Sequence, residues 1–198
     1  MFKTNTKYHF NPKSDNLDVI LHGGSQGIDS SFILKLFEAS EKEGNSVVAF
    51  NFPYLERGDD HSSGAEVVEE REIVASILES CDYRKYKTIR ILGKSLGAII
   101  AAKYFESLAK SEVGPFSITV LGYDVGQIGL KKFPGNILIV QGSKDKYGDI
   151  EVVKNDLRGA ISKNIKYLSV EDADHSFRVP ETKEPVYEDK AVSLAFSK

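Results

Sequence analysis

Apolar and polar positions along this 198-residue chain fall into short apolar runs separated by segments with helical periodicity. The runs cover residues 18–21, 47–50, 88–92, 117–121, 137–140 and 165–170. Several are apolar at consecutive positions, as strands buried on both faces of a parallel sheet are. Residues 7–10 read as a short edge strand. Between the runs, Phe32, Ile33, Leu36 and Phe37 repeat at helical spacing, and Gly44 marks a stop. Val67, Val74, Ile77, Leu78 and Cys81 line one helical stripe, with Glu66, Glu69, Glu70 and Arg71 outside it. Residues 98–108 form a mostly apolar helix that begins near Leu96, and residues 150–157 and 186–196 form helices nearer the surface. The alternation predicts an α/β fold: a mostly parallel central sheet of six or seven strands flanked by helices with right-handed crossovers. No repeat or linker divides the chain, so residues 1–198 read as one domain.

In such sheets the site lies beyond the carboxyl ends of the strands, which directs attention to the loops after each run. The most informative is Gly93-Lys94-Ser95-Leu96-Gly97, a G-x-S-x-G pentapeptide between a strand and a helix. A serine on such a turn is the nucleophile elbow, with its hydroxyl lifted clear of its neighbours. The pentapeptide alone is a weak signal; its flanking elements strengthen it. After the 18–21 strand comes His22-Gly23-Gly24-Ser25, a turn able to aim backbone N–H groups at a substrate oxygen. The amides of Gly24 and Leu96 are the expected oxyanion donors, with Ser25 a second choice for the first. His22 precedes the turn and reads as structural.

Asp145 follows the 137–140 strand and His175 follows the 165–170 strand. Ser95, Asp145, His175 is the chain order of nucleophile, acid and base in this architecture. His175 would take the serine proton, and Asp145 would hold the imidazole tautomer. Of the four histidines, only His175 lies downstream of the serine. The acid has rivals in Asp124, Asp149, Asp172 and Asp174, of which Asp124 also follows a strand.

These residues together resemble an α/β-hydrolase over nearly the whole chain. Residues 50–56 (Phe-Asn-Phe-Pro-Tyr-Leu-Glu), the elbow, Leu121-Gly122-Tyr123 and residues 141–145 (Gln-Gly-Ser-Lys-Asp) are similar to one branch. That branch is the small, capless, dienelactone-hydrolase-like group related to the KANL3/Tex30 family. The resemblance implies a serine hydrolase scaffold without naming a substrate. Two departures stand out: Ala98 occupies a position often glycine, and the first two strands of the larger fold are reduced or missing.

Composition narrows the classes. A net charge of −3 with scattered lysines and arginines gives no reason to expect nucleic-acid binding. One cysteine, Cys81, excludes an internal disulfide framework and reads as a buried structural thiol. No run approaches the length of a membrane span, and residues 1–7 lack the apolar core of a signal peptide; the expectation is a cytoplasmic protein with no membrane partner. Gly93-Lys94-Ser95 ends like a P-loop, but Thr88 stands where the first glycine belongs. No His/Cys cluster has zinc-ligand spacing. The expected activity is hydrolysis of a small carboxylic ester or thioester through an acyl-serine, with no cofactor or metal and a small acyl substrate as partner. The alternative is a non-catalytic hydrolase fold that binds a partner. The connection between Leu121 and Ile137 is too short for a cap. The loop 53–64, with Tyr54, Arg57 and His61, is the expected wall of the site. Tyr54, Tyr123 and Phe177 are the expected substrate-binding residues, with Tyr147 nearby.

Overall fold

A computed structural model describes residues 4–109 and 111–197. The expectations for residues 1–7 and for a domain over 1–198 therefore extend to residues outside the described ones. The strands are β1 (Thr6–His9), β2 (Asn16–Leu21), β3 (Ser46–Phe50), β4 (Thr88–Lys94), β5 (Phe116–Leu121), β6 (Ile137–Gly142) and β7 (Ile165–Val170). They form one sheet in the order β1-β3-β2-β4-β5-β6-β7. Only β1 runs antiparallel, against β3. The helices are α1 (Ser31–Lys42), α2 (Pro53–Arg57), α3 (Val68–Ser80), α4 (Leu96–Ser107), α5 (Ile150–Asp156) and α6 (Glu188–Ala195).

Strand alternation divides the core in two. Leu17, Val19, Leu21, Ile89 and Ile91 face the layer containing α3 and α4, where they pack with Ile73, Val74, Leu78, Ile100 and Ala101. Ile20 and Leu92 face the other way, onto Ile33 and Leu36 of α1 and Ala191 and Val192 of α6. Each fully buried aliphatic contributes roughly 1.5–3 kcal/mol relative to exposure. Burial on both faces explains why these strands lack a polar stripe. Local signals set the helix ends: the Asp149 carboxylate accepts the Glu151 and Val152 amides to open α5, and Gly44, at φ 77°, follows α1.

The sheet topology positions the site. From β2 the chain crosses to β3 on one side and then returns to β4 on the other, so the switch point lies at the carboxyl end of β2. Leu21 pairs with Gly93 there, which sets the turn after β2 beside the turn after β4. Gly142 pairs with Val170 at the ends of β6 and β7, bringing the remaining two loops alongside.

The structure adds α2 where the sequence reads as loop. Pro53 fixes the first helical φ and Gly58, at φ 76°, ends the helix after five residues, too few to show periodicity. The edge strand sits one residue earlier than expected, and the described residues ahead of β2 hold this strand alone. Cys81 is half-buried at the end of α3 rather than sealed in the core. No cap interrupts the connection between β5 and β6. Among the described residues no helix is long and apolar enough to cross a membrane.

Candidate active site

Ser95 joins β4 to α4 with φ 49° and ψ −113°, a conformation non-glycine residues seldom adopt. The neighbouring glycines make room for the turn. A Cβ on Gly93 would lie 2.7 Å from Ala98 N, and one on Gly97 would run into the carbonyl oxygens of Leu21 and His22. Both are close approaches of backbone to backbone, which only glycine permits. Two bonds tie the turn down: the Ser95 amide donates to Leu121 O at 3.1 Å, and the Ala98 amide donates to Ser95 O at 2.8 Å.

His175 Nε2 lies 2.8 Å from Ser95 Oγ, and His175 Nδ1 lies 2.7 Å from Asp145 Oδ2. An ionised carboxylate only accepts, so Nδ1 carries the proton and Nε2 accepts from the serine hydroxyl. Asp145 is fully enclosed and His175 mostly so, with side-chain exposures of 0% and 14%. Gln141 Nε2 donates to Asp145 Oδ2 at 2.9 Å and the Tyr147 amide donates to Oδ1 at 2.9 Å, so both oxygens are held. Among the rival aspartates, Asp149 caps α5, and Asp174 accepts the Ser176 and Arg178 amides within its own loop. Asp124 sits near the pair, its carboxyl raised above the usual range first by burial and partly by the Asp145 charge.

The turn after β2 is braced from behind. The His22 ring is buried; its Nδ1 lies 2.7 Å from Gly23 O, and its Nε2 accepts the Phe52 amide at 3.0 Å. Burial lowers its pKa to about 4, so the ring is neutral near pH 7 with its proton on Nδ1. Tyr54 Oη donates to Gly24 O at 3.0 Å. In a trans peptide the N–H points opposite to the preceding C=O. With the Gly23 and Gly24 carbonyls turned inward, the Gly24 and Ser25 amides face the other way. On the Ser95 side, Ala98 and Ile99 donate to Ser95 O, which leaves the Leu96 amide among those a helix start leaves open.

A cavity of about 140 Å³ opens beside Ser95, lined by Gly24, Ser25, Phe32, His175, Arg178 and Glu188 among others. Tyr54, Tyr123 and Phe177 do not line it; all three are buried. Tyr54 lies behind the glycine turn. Tyr123 turns its hydroxyl to Ile128 O at 2.9 Å and Asp156 Oδ2 at 2.7 Å. Phe177 packs behind Phe32, with ring centres 5.3 Å apart. Aromatic rings bury their area and a buried tyrosine hydroxyl finds a partner, which outweighs proximity in sequence to a site loop. The segment 53–64 likewise supplies a brace through Tyr54 rather than a wall. Tyr147 does meet the site, edge-on to His175 with ring centres 4.8 Å apart.

Lys94 and Arg178 are site residues the sequence did not mark. Lys94 is buried and its Nζ donates to the His175 carbonyl at 2.9 Å. Burial lowers its pKa to about 8, against the opposing pull of Asp145 and Asp174. The available signal was a lysine inside an apolar strand end. Arg178 follows the expected base by three residues, but loop arginines are ordinarily solvated. Among the described residues no group of three His, Cys, Asp or Glu side chains is placed to hold a metal ion.

The model of a family described as "Alpha/beta hydrolase domain" matches residues 15–197. No curated protein sequence matches the chain. Solved structures with a similar fold include an α/β serine hydrolase homologue from Coxiella burnetii, at 20% identity and TM-score 0.73, covering 97% of this chain and 88% of that one. An α/β serine hydrolase without a lid from Xanthomonas campestris is 15% identical at TM-score 0.71, covering 97% and 86%. An esterase from Pyrococcus furiosus is 16% identical at TM-score 0.67, covering 96% and 86%.

Proposed function

The chain belongs to the α/β-hydrolase domain family, and from that premise we propose that it is a serine hydrolase cleaving a small carboxylic ester or thioester through an acyl-serine intermediate. The observation that carries this is the unbroken line of hydrogen bonds from Asp145 through His175 to Ser95. A buried carboxylate holding an imidazole against a strained serine is the arrangement that activates a hydroxyl.

Ser95 Oγ attacks the carbonyl carbon while His175 Nε2 takes its proton. Asp145 stabilises the imidazolium that forms. The developing oxyanion lies toward the Leu96 and Gly24 amides, whose orientation is fixed before substrate arrives. His175 returns the proton to the leaving oxygen or sulfur, leaving an acyl-serine. A water deprotonated by His175 then attacks the acyl carbon, and Ser95 departs with the returned proton. The open, capless mouth favours small or flexible acyl groups over long lipids. The fold likeness to an esterase and to a lidless serine hydrolase agrees with this reading.

Intact-mass analysis after fluorophosphonate treatment tests it. The expected result is one adduct, mapped to Ser95 and missing in Ser95→Ala and His175→Ala. Folded native protein that takes no adduct would sink the reading and favour a hydrolase fold used for binding alone.

A further inference from the structure

We propose that Lys94 is a positioning residue: its ammonium clasps the His175 backbone to the nucleophile elbow and so holds the imidazole against Ser95. The effect on rate rests on the serine-hydrolase reading; the clasp itself does not.

Lys94 closes β4 and directly precedes the nucleophile. His175 stands in the loop after β7, with β5 and β6 between the two strands. The Lys144 amide ties that loop to the one after β6, donating to Ala173 O at 2.9 Å. Lys94 ties it to the elbow: Nζ spans the gap and donates to His175 O at 2.9 Å. The same residue's Nε2 lies 2.8 Å from Ser95 Oγ. The contacts close a ring that runs from Ser95 to its neighbour Lys94, on to the His175 backbone, and through the imidazole back to Ser95. Displacing a catalytic group by about 1 Å can cost about 100-fold in rate, so a bond that fixes the base's own backbone bears directly on the reaction.

The surroundings leave room for this bond and little else. Gly122 follows β5 at φ 76°; a Cβ there would lie 3.1 Å from Lys94 Nζ and 2.9 Å from His175 O, against both ends of the bond. Phe177, at φ 58°, sets its ring centre 5.8 Å from the ammonium, within cation–π range. Lys94 is only 9% exposed, and a buried charge is costly unless paired. Among the described residues it makes no ion pair: Asp145 is taken by His175 and Asp174 by Lys183. A buried ammonium committed to one backbone carbonyl departs from ordinary core packing, and such departures mark functional positions.

The clasp carries a pH dependence. Burial lowers the Lys94 pKa to about 8; Asp145 and Asp174 oppose the fall, and Arg178 adds to it. His175 faces it from the same loop as Arg178, and Asp124 after β5 and Glu188 of α6 border the same site. Charge-assisted hydrogen bonds are roughly twice as strong as neutral ones, so the clasp is tight below about pH 8 and slack above it. With p-nitrophenyl acetate, native kcat should fall about fivefold from about pH 7 to about pH 10, toward a lower plateau, with KM steady. Lys94→Met should lower kcat about 10- to 100-fold near neutral pH and abolish the alkaline fall. Its thermal midpoint should hold or rise, since a buried charge is gone. Lys94→Arg stays charged throughout and should recover part of the rate with a flat alkaline profile. Native kcat in Lys94→Met, a flat native profile, or an alkaline fall that survives in Lys94→Met overturns the proposal.

Fluorophosphonate labelling keeps the two readings apart. If native protein neither labels nor cleaves, the hydrolase reading fails, and NMR decides the clasp. The Ser176 amide shares a peptide plane with His175 O, so its nitrogen shift reports on the bond to that carbonyl. In native protein the shift should move with a midpoint near pH 8, and in Lys94→Met it should stay still over the same range. A Ser176 signal that does not move in native protein, or moves alike in both, overturns the clasp.

Discussion

On one side of the cavity, Ser95, His175 and Asp145 meet side chain to side chain. On the other, the turn at Gly23 and Gly24 presents only backbone, held by His22 and Tyr54 from behind. The first side needs particular functional groups at its face; the second needs only amides there and keeps its side chains one layer back. Chemistry is therefore concentrated at the surface of the first region and hidden beneath the surface of the second. A substitution at Asp145 acts on a contact to the reacting group, whereas one at His22 or Tyr54 acts through the shape of a peptide.

This contrast can be broken experimentally, beginning with the largest effect. Asp145→Asn replaces an acceptor-only group with an amide and removes the charge that fixes the His175 tautomer. We expect kcat on an activated ester to fall by about 10³–10⁴-fold, with a thermal midpoint close to native. A fall under tenfold would transfer the acid role to Asp124, the charged neighbour.

The second effect concerns stability. Folded His22 stays neutral down to about pH 4, whereas the unfolded chain protonates it near 6.5. Between those values the unfolded state takes up a proton that the folded state refuses. Stability is therefore unaffected by this group above pH 6.5, falls by about 3 kcal/mol as pH drops toward 4, and is level below. Urea unfolding across this range should show a steeper decline for native protein than for His22→Gln. Equal slopes would mean that the ring is not held neutral.

The smallest effect belongs to Tyr54. Burial pushes its hydroxyl up to about 12, so it remains a donor throughout the working range. Tyr54→Phe frees the Gly24 carbonyl while sparing the packing. We expect steady-state kinetics to show kcat lowered about tenfold with KM unchanged, since a loosened amide is felt in the transition state. A change in KM alone would move Tyr54 from bracing the turn to contacting substrate.

The same contrast explains what the sequence revealed. The strands of the buried sheet were visible because burial on both faces leaves consecutive apolar residues, as in β4 and β5. Ser95, Asp145 and His175 were visible because the roles proposed for them call for those residue types in loops after strands, here β4, β6 and β7. Pro53–Arg57 was not, since one and a half turns carry no period. Tyr54, Tyr123 and Phe177 were misplaced because closeness to a loop in sequence does not say which side of it a ring takes. Lys94 was weighed only as the end of a P-loop, and Arg178 was passed over because a lone cation in a sequence reads as solvated until its surroundings are known.

The last strand of the sheet has a further consequence. β7 has a neighbour on one side only and is largely half-exposed, whereas β4 lies between β2 and β5 with its interior sealed. Edge elements open locally at lower free energy than central ones. The histidine thus follows an edge strand of the sheet, and the serine a central one. On gentle warming we expect the proposed esterase activity to fall while the circular dichroism is still native, and to return on cooling as fast as the edge strand re-anneals.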